Sequence, residues 1–192
     1  MIAKKAGVKT GMALWQARQL CPQINILPPR MDLYLRFSRM INEIYADYTD
    51  QIERFGIDES WLDVTASGTL GTGKSIAQEI RERVKFELGV TVSIGVSWNK
   101  IFAKLGSDYK KPDAITVIKK DSYRLYVGRA TGRKLHSIGV DTIGQLASMS
   151  PELLNRKFGK IGYMLHSFAN GNDSSPVSKE NEEAIIKSIG NS

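Results

Sequence analysis

One cysteine, two histidines and no long apolar run set the first boundaries on this 192-residue chain. A lone thiol, Cys21, closes no internal disulfide and builds no thiolate metal cluster, which points to a reducing compartment, the cytoplasm. The role expected for it is a small hydrophobe on a helix. His136 and His166 are far apart in sequence and are read as structural, not as metal ligands. A membrane span needs roughly 18–20 consecutive apolar residues, and no stretch here approaches that. No apolar segment follows the early lysines, so no secretory leader is read. Aromatic residues make up 8% of the chain. Trp15, Trp61 and Trp98, with Tyr34, Tyr45 and Tyr48, are assigned to the core and not to base stacking.

What is present is a globular composition, 42% hydrophobic, in a chain long enough for one large domain or two small ones. The net charge is +7, and it is unevenly spread. Residues 98–160 hold 13 of the 27 Lys/Arg and only 5 of the 20 Asp/Glu, so the remainder is close to neutral. A basic third beside a neutral remainder points to a polyanionic partner, nucleic acid first.

Periodicity predicts a short helix over 12–21, ended by Pro22, and a long helix over 32–48 begun by Asp32, with Leu33, Phe37, Met40, Ile41, Ile44 and Tyr48 on its core face. Two strands over 51–56 and 57–65, or one strand with a break at Gly56, are expected, then a helix over 75–88 with Ile76, Ile80 and Val84 inward, and a strand over 89–97. A helix over 99–109 and a strand over 114–118 complete the series. This rhythm is that of a split β-α-β arrangement of ferredoxin-like type, an α+β fold with helices over an antiparallel or mixed sheet, its first strand expected before Met1. Residues 124–171 carry no strand signal and read as short helices punctuated by glycine, with Gly139 and Gly144 at tight turns. Residues 170–184 are polar and Ser-rich, a linker, followed by a strand-like "IIKSI".

"GTLGTGKS", Gly68 to Ser75, matches the phosphate-loop spacing and stands between an expected strand and an expected helix. Three features weigh against a nucleotide hydrolase. The preceding strand carries Asp58, Glu59, Ser60 and Asp63, whereas a phosphate-loop strand is buried on both faces. Neither later strand ends in an Asp for Mg²⁺. Residues 69–72 also suffice as a loop leading into a helix capped by Thr72 or Gly73.

The adjacent pair Asp58-Glu59 lies in an otherwise apolar strand segment, where two carboxylates are costly unless they hold cations. Asp63 is expected to cap the turn that follows. "FGIDESWLDVT" resembles the catalytic strand of Y-family, translesion DNA polymerases of the bacterial polymerase IV type. "TVSIGVSWNKIFAKLGSDYKKPDAITVI" is similar to their palm segment, and "AKKAGVKTGMALWQARQLCP" to their fingers. "DLYLRFSRMINEIYADYTDQIE" resembles the next palm helix and "YVGRATGRKLHSIGVDTIGQLA" the thumb.

The resemblance implies DNA-directed nucleotidyl transfer by two Mg²⁺ ions, with Asp58 and Glu59 as catalytic metal ligands. It implies Lys111, before Pro112, on the triphosphate, joined by Lys4 where the family carries Arg. Lys100 and Lys104, one helix turn apart, and Gly128, Arg129, Arg133 and Lys134 are the implied DNA contacts, the glycine turns offering backbone N–H groups to phosphates. Partners implied are primer-template DNA, deoxynucleoside triphosphates and, for a full-length protein, a sliding clamp. The implied division is partial fingers over 1–30, palm over 31–119 with the catalytic strand at 57–65, an all-α thumb with helix-hairpin-helix-like turns over 120–170, and a linker into a little-finger domain over 171–192. The sequence departs from the family pattern at its start. The family's first strand, with a further metal-binding Asp, lies upstream of the position matched by Met1. The expectation is an incomplete two-ion site, little polymerase activity in the isolated chain, and a sheet edge open to self-association.

Overall fold

The computed structural model describes residues 2–122 and 135–178. It divides into two compact units, Met1–Tyr34 and Leu35–Ser192. In the first, α1 (Ile2–Lys5) and α2 (Leu14–Leu20) are joined through Gly7 and Gly11, both at positive φ. Cys21 closes α2, its N–H donating to the carbonyl of Ala17 at 2.9 Å, and is half-buried. Trp15 is 62% exposed and Tyr34 45% exposed, so neither is the core residue its helical spacing implies.

The second unit is built around α4 (Gly73–Leu88). Thr72 caps it by accepting from the N–H of Ser75, and Gly89 ends it in the left-handed conformation at φ 71°. Ile76, Ile80 and Val84, spaced by one turn, are buried, each stabilising by about 1.5–3 kcal/mol. They pack with Ile44 and Tyr48 from the end of α3 (Met31–Ala46) and the loop after it.

The strands form two separate ladders. β1 (Ile52–Phe55) and β2 (Glu59–Leu62) are an antiparallel hairpin, with Ile52 opposite Leu62 and Phe55 opposite Glu59. β3 (Ile94–Val96) and β4 (Ile115–Val117) run parallel, joined by α5 (Lys100–Tyr109). The strands are shorter than the sequence predicts. Residues 57 and 58 belong to the hairpin turn, so Asp58 precedes the strand and Glu59 begins it. Residues 89–93 carry the alternating apolar pattern, and Val90 and Val92 pack on the α4 core, but the ladder with β4 starts at Ile94.

α5 lies against β3 with no clearance. A Cβ on Gly95 would run into the carbonyl of Ala103, and one on Gly106 would come within 3.0 Å of the Gly95 Cα. Phe102 and Ile118, 1% exposed, fill the space beside this crossing.

Residues 135–173 are helical and turn structure: α6 (Ile143–Ser148), α7 (Pro151–Phe158) and α8 (Lys160–Ala169). Thr142 and Gln145 form a reciprocal capping box, Ser150 caps α7 ahead of Pro151, and Gly159 turns the chain at φ 65°. Gly144, expected at a turn, lies inside α6; the turn glycines are Gly139, Gly159 and Gly171. Leu154 is fully buried among Leu135, Val140, Leu146, Ala147 and Ala169. No helix among the described residues is long and apolar enough to cross a membrane.

Candidate functional site

The phosphate-loop spacing folds into something else. Thr65–Leu70 is a 3-10 helix, Thr72 Oγ1 caps the first turn of α4, and the Ser75 hydroxyl donates to the Thr72 carbonyl at 2.8 Å. The strand before it is the second arm of a hairpin, not the centre of a parallel sheet. Asp63 takes the expected local part by accepting from the N–H of Thr65 at 2.9 Å.

A cleft of about 440 Å³ opens between the two ladders. α4 supplies its apolar floor through Ile76, Ala77 and Ile80. Asp58, Glu59, Lys104, Lys111 and Pro112 contribute to its polar side. Four elements therefore place charged groups around one cavity: the hairpin turn, the start of β2, the middle of α5 and the loop before β4.

Glu59, Lys104 and Lys111 form a continuous string with Asp108. Lys104 Nζ is paired with Glu59 Oε1 and stands 3.3 Å from Asp108 Oδ2. Lys111 Nζ reaches the other Asp108 oxygen at 2.7 Å. Burial works against the Lys104 charge, but the Glu59 hydrogen bond and the fields of Asp108 and Glu59 outweigh it and raise its pKa. The Lys111 hydrogen bond, with help from Lys104, holds the Asp108 carboxyl below the usual range. Asp108 is absent from the sequence reading, although its spacing of four from Lys104 and three from Lys111 signals the pairings on a helix.

The loop carrying Lys111 is anchored from behind. Asp113 accepts from Arg81 Nε at 2.7 Å and from Lys85 Nζ at 2.6 Å, both on α4. Those hydrogen bonds, Lys85 first, hold its carboxyl below its ordinary value. Asp113 sits at φ 54°, in the left-handed region that Asp visits more readily than most side chains.

Lys100, expected on a DNA-facing stripe with Lys104, turns to the hairpin instead. Its Nζ lies 2.6 Å from both carboxylate oxygens of Glu53 and 4.8 Å over the Trp61 ring, with 17% of the side chain accessible. Glu53 also accepts from the N–H of Ser178 at 2.9 Å, and Lys100 donates to the Pro176 carbonyl at 3.3 Å. The node ties β1, α5 and residues 176–178 together. Burial raises the Glu53 pKa, but Lys100 and the Ser178 N–H overcome it and the net direction is down. Glu53 carries no motif, and its partner is 47 residues away.

Lys4 lies exposed in the last turn of α1. Gly128, Arg129, Arg133 and Lys134 lie outside the described residues, as does the strand-like segment over 185–189. Among the described residues no group of three or more His, Cys, Asp or Glu is arranged to hold a metal.

Comparison with known proteins places this geometry. Residues 1–108 match the impB/mucB/samB family, and residues 126–173 match a family described as the DNA polymerase-iota thumb domain. A DNA polymerase IV of Acetivibrio thermocellus is 53% identical over 99% of this chain and 51% of its own length. One of Bacteroides fragilis is 39% identical over 98% of this chain and 54% of its own. The chain thus spans about half the length of the curated relatives it matches. Among solved structures, DinB from Sulfolobus solfataricus superposes with a TM-score of 0.81 at 30% identity, covering 92% of this chain and 56% of that one. An insertion ternary complex of Dbh DNA polymerase gives 0.78 at 31%, covering 92% and 55%. The chain belongs to the impB/mucB/samB family, the Y-family DNA polymerases.

Proposed function

We propose that this chain is the palm and thumb portion of a translesion DNA polymerase, which transfers deoxynucleotides to a primer end in DNA repair and damage bypass. The observation that carries the reading is the placement of Asp58, Glu59 and Lys111 around one cleft in a chain of this family. In this reading residues 31–119 form the palm, residues 120–170 the thumb and residues 1–30 part of the fingers.

Asp58 and Glu59 are hard oxygen donors of the kind Mg²⁺ selects, and they are the residues that would hold it. A bound divalent ion supplies Lewis acidity at the primer hydroxyl and at the phosphates. Lys111, about half exposed and held by Asp108, presents a mobile cation to a triphosphate, while the Arg81–Asp113–Lys85 clamp fixes the direction from which it reaches. Glu59 is paired with Lys104, and Asp108, 3.3 Å from the same Nζ, would keep Lys104 paired if Glu59 served as a metal ligand. The basic residues of 123–134 and the glycine turns of the helical region supply sequence-independent contacts to the DNA backbone.

Titration calorimetry of the chain with a deoxynucleoside triphosphate tests the reading. Binding that requires Mg²⁺ and is lost in both Asp58→Ala and Glu59→Ala is expected; binding unaffected by either substitution overturns it. A second reading, DNA binding without chemistry, draws on the same Lys104–Glu59 pair, which already neutralises one carboxylate. Salt-dependent affinity for primed DNA that is indifferent to Asp58→Ala, with no Mg²⁺-dependent nucleotide binding, selects it.

A further inference from the structure

Glu59, Lys104, Asp108 and Lys111 share partners, and Lys104 is the member held from two sides. Its Nζ is paired with Glu59 Oε1, while Asp108 Oδ2 stands 3.3 Å away. A closed ammonium–carboxylate pair measures roughly 2.7–2.9 Å, so the contact with Asp108 has slack to take up. Lys111 already holds the other oxygen of Asp108 at 2.7 Å, a closed pair.

The backbones that carry these groups are fixed. α5 meets β3 at the Gly95–Gly106 contact, which leaves no room for a methyl group. The Trp61 indole N–H donates to the Lys100 carbonyl at 3.1 Å and ties β2 to the start of α5. Asp113 fastens the loop after Lys111 to Arg81 and Lys85. Rearrangement within the string is therefore a matter of side-chain torsions, and all four side chains are partly exposed and free to turn.

Charge balance sets the direction of that rearrangement. As the structure stands, two carboxylates face two ammonium groups. If Glu59 serves as a metal ligand, the like charge repels Lys104, and Asp108 is the carboxylate already beside it. One carboxylate then faces two ammonium groups. Lys111 is the more exposed of the two, at 52% against 34% for Lys104, and is the one left with surplus charge.

We infer that Asp108 is a positioning residue that couples the two ends of the cleft: it takes over Lys104 when Glu59 turns to a divalent cation, and in doing so releases Lys111 to the phosphates of a nucleotide. This coupling rests on the polymerase reading for its two ligands, and it runs through a side chain that touches neither of them.

The probe is Mn²⁺ alone, titrated into the full chain with the free ion counted by electron paramagnetic resonance. Lys104→Gln removes the competing cation and should tighten Mn²⁺ binding about fivefold; Asp108→Asn removes the alternative seat and should weaken it about fivefold. Loss of charge at a distance gives the same two signs, so the double variant decides. Exchange requires Lys104, so Asp108→Asn should change the affinity by less than about twofold in the Lys104→Gln background, whereas field effects add. The second readout is peptide-resolved acetylation of lysines, without nucleotide. Saturating Mn²⁺ should speed acetylation of Lys111 at least about twofold, with Lys4 as the unchanged reference. That dependence should vanish in Lys104→Gln and in Asp108→Asn, and persist in Asp108→Glu, which keeps the carboxylate. Additive effects in the double variant, or a Lys111 rate indifferent to bound Mn²⁺, overturn the coupling and leave the polymerase reading standing. Mn²⁺ binding that survives Glu59→Ala, or no binding at all, overturns both. Thermal transitions matched to wild type confirm that the variants keep the fold.

Discussion

The helical region over 135–173 and the two-ladder region over 52–118 complete themselves to different degrees. In the first, helix starts meet local side chains: Thr142 with Gln145 at α6, and Ser150 at α7. Its central leucine, Leu154, has no accessible surface. In the second, Thr72 and Asn99 cap α4 and α5 and the α4 face is buried, but β2 and β3, which flank the cleft, hold no fully buried residue. Ile143 packs against the residues of both cores, so the contrast is not one of separate bodies. The lesson is that helices satisfy their own backbone, whereas a short strand depends on a neighbour.

The sharpest way to break this contrast is to empty each region of one side chain. Leu154→Ala should cost about 2–5 kcal/mol in chemical denaturation, because a closed cluster cannot collapse around the hole. Ile94→Ala, at the cleft, should cost no more than about 1–2 kcal/mol, since part of its side chain already meets open space. Equal losses would mean that the cleft is packed as tightly as the helical core. Gly95→Ala should destabilise by about 1–3 kcal/mol through collision with the Ala103 carbonyl, read as a lowered denaturation midpoint. Thr142→Ala removes one arm of the capping box and should cost about 0.5–2 kcal/mol, visible as loss of far-ultraviolet helical signal at lower denaturant.

The smallest effect concerns pH. The Glu53 carboxyl titrates below its ordinary value in the folded chain, so its contribution is complete above the usual glutamate range. That contribution is lost as pH falls through the lowered folded value. Thermal scans should therefore show Glu53→Gln less stable than wild type near neutrality, by about 1 kcal/mol or less, with the gap closing below pH ~4.5. A gap that persists in acid would show that the loss lies in packing and not in charge.

How much of this was legible depended on whether the signal was local. α4 could be read to within two residues, because Thr72, the Ile76–Ile80–Val84 spacing and Gly89 all speak about neighbours in sequence. The family was legible from the motifs around Asp58 and Lys111. The strand limits were not, because ladder length depends on a distant partner: β4 offers three residues, so β3 pairs over three despite a longer alternating run. The sequence places Asp58 in a strand because a glycine between two apolar stretches reads as a break; the structure makes Gly56, at φ 73°, part of the hairpin turn. Trp15 and Tyr34 show that helical spacing identifies a face and not what covers it. The pairing of Lys100 with Glu53 was hidden because a cation's partner is chosen in three dimensions.

The contact between Gly95 and Gly106 governs how the cavity can breathe. With no room for even a methyl group between them, α5 and β3 can only travel as one slab, and Lys104 rides with that slab. The Lys100–Glu53 pair and the Trp61 indole N–H, which donates to the Lys100 carbonyl at 3.1 Å, fasten the hairpin to that same helix. Both banks of the cleft are thus pinned to α5, and the opening between them is a gauge set by the fold.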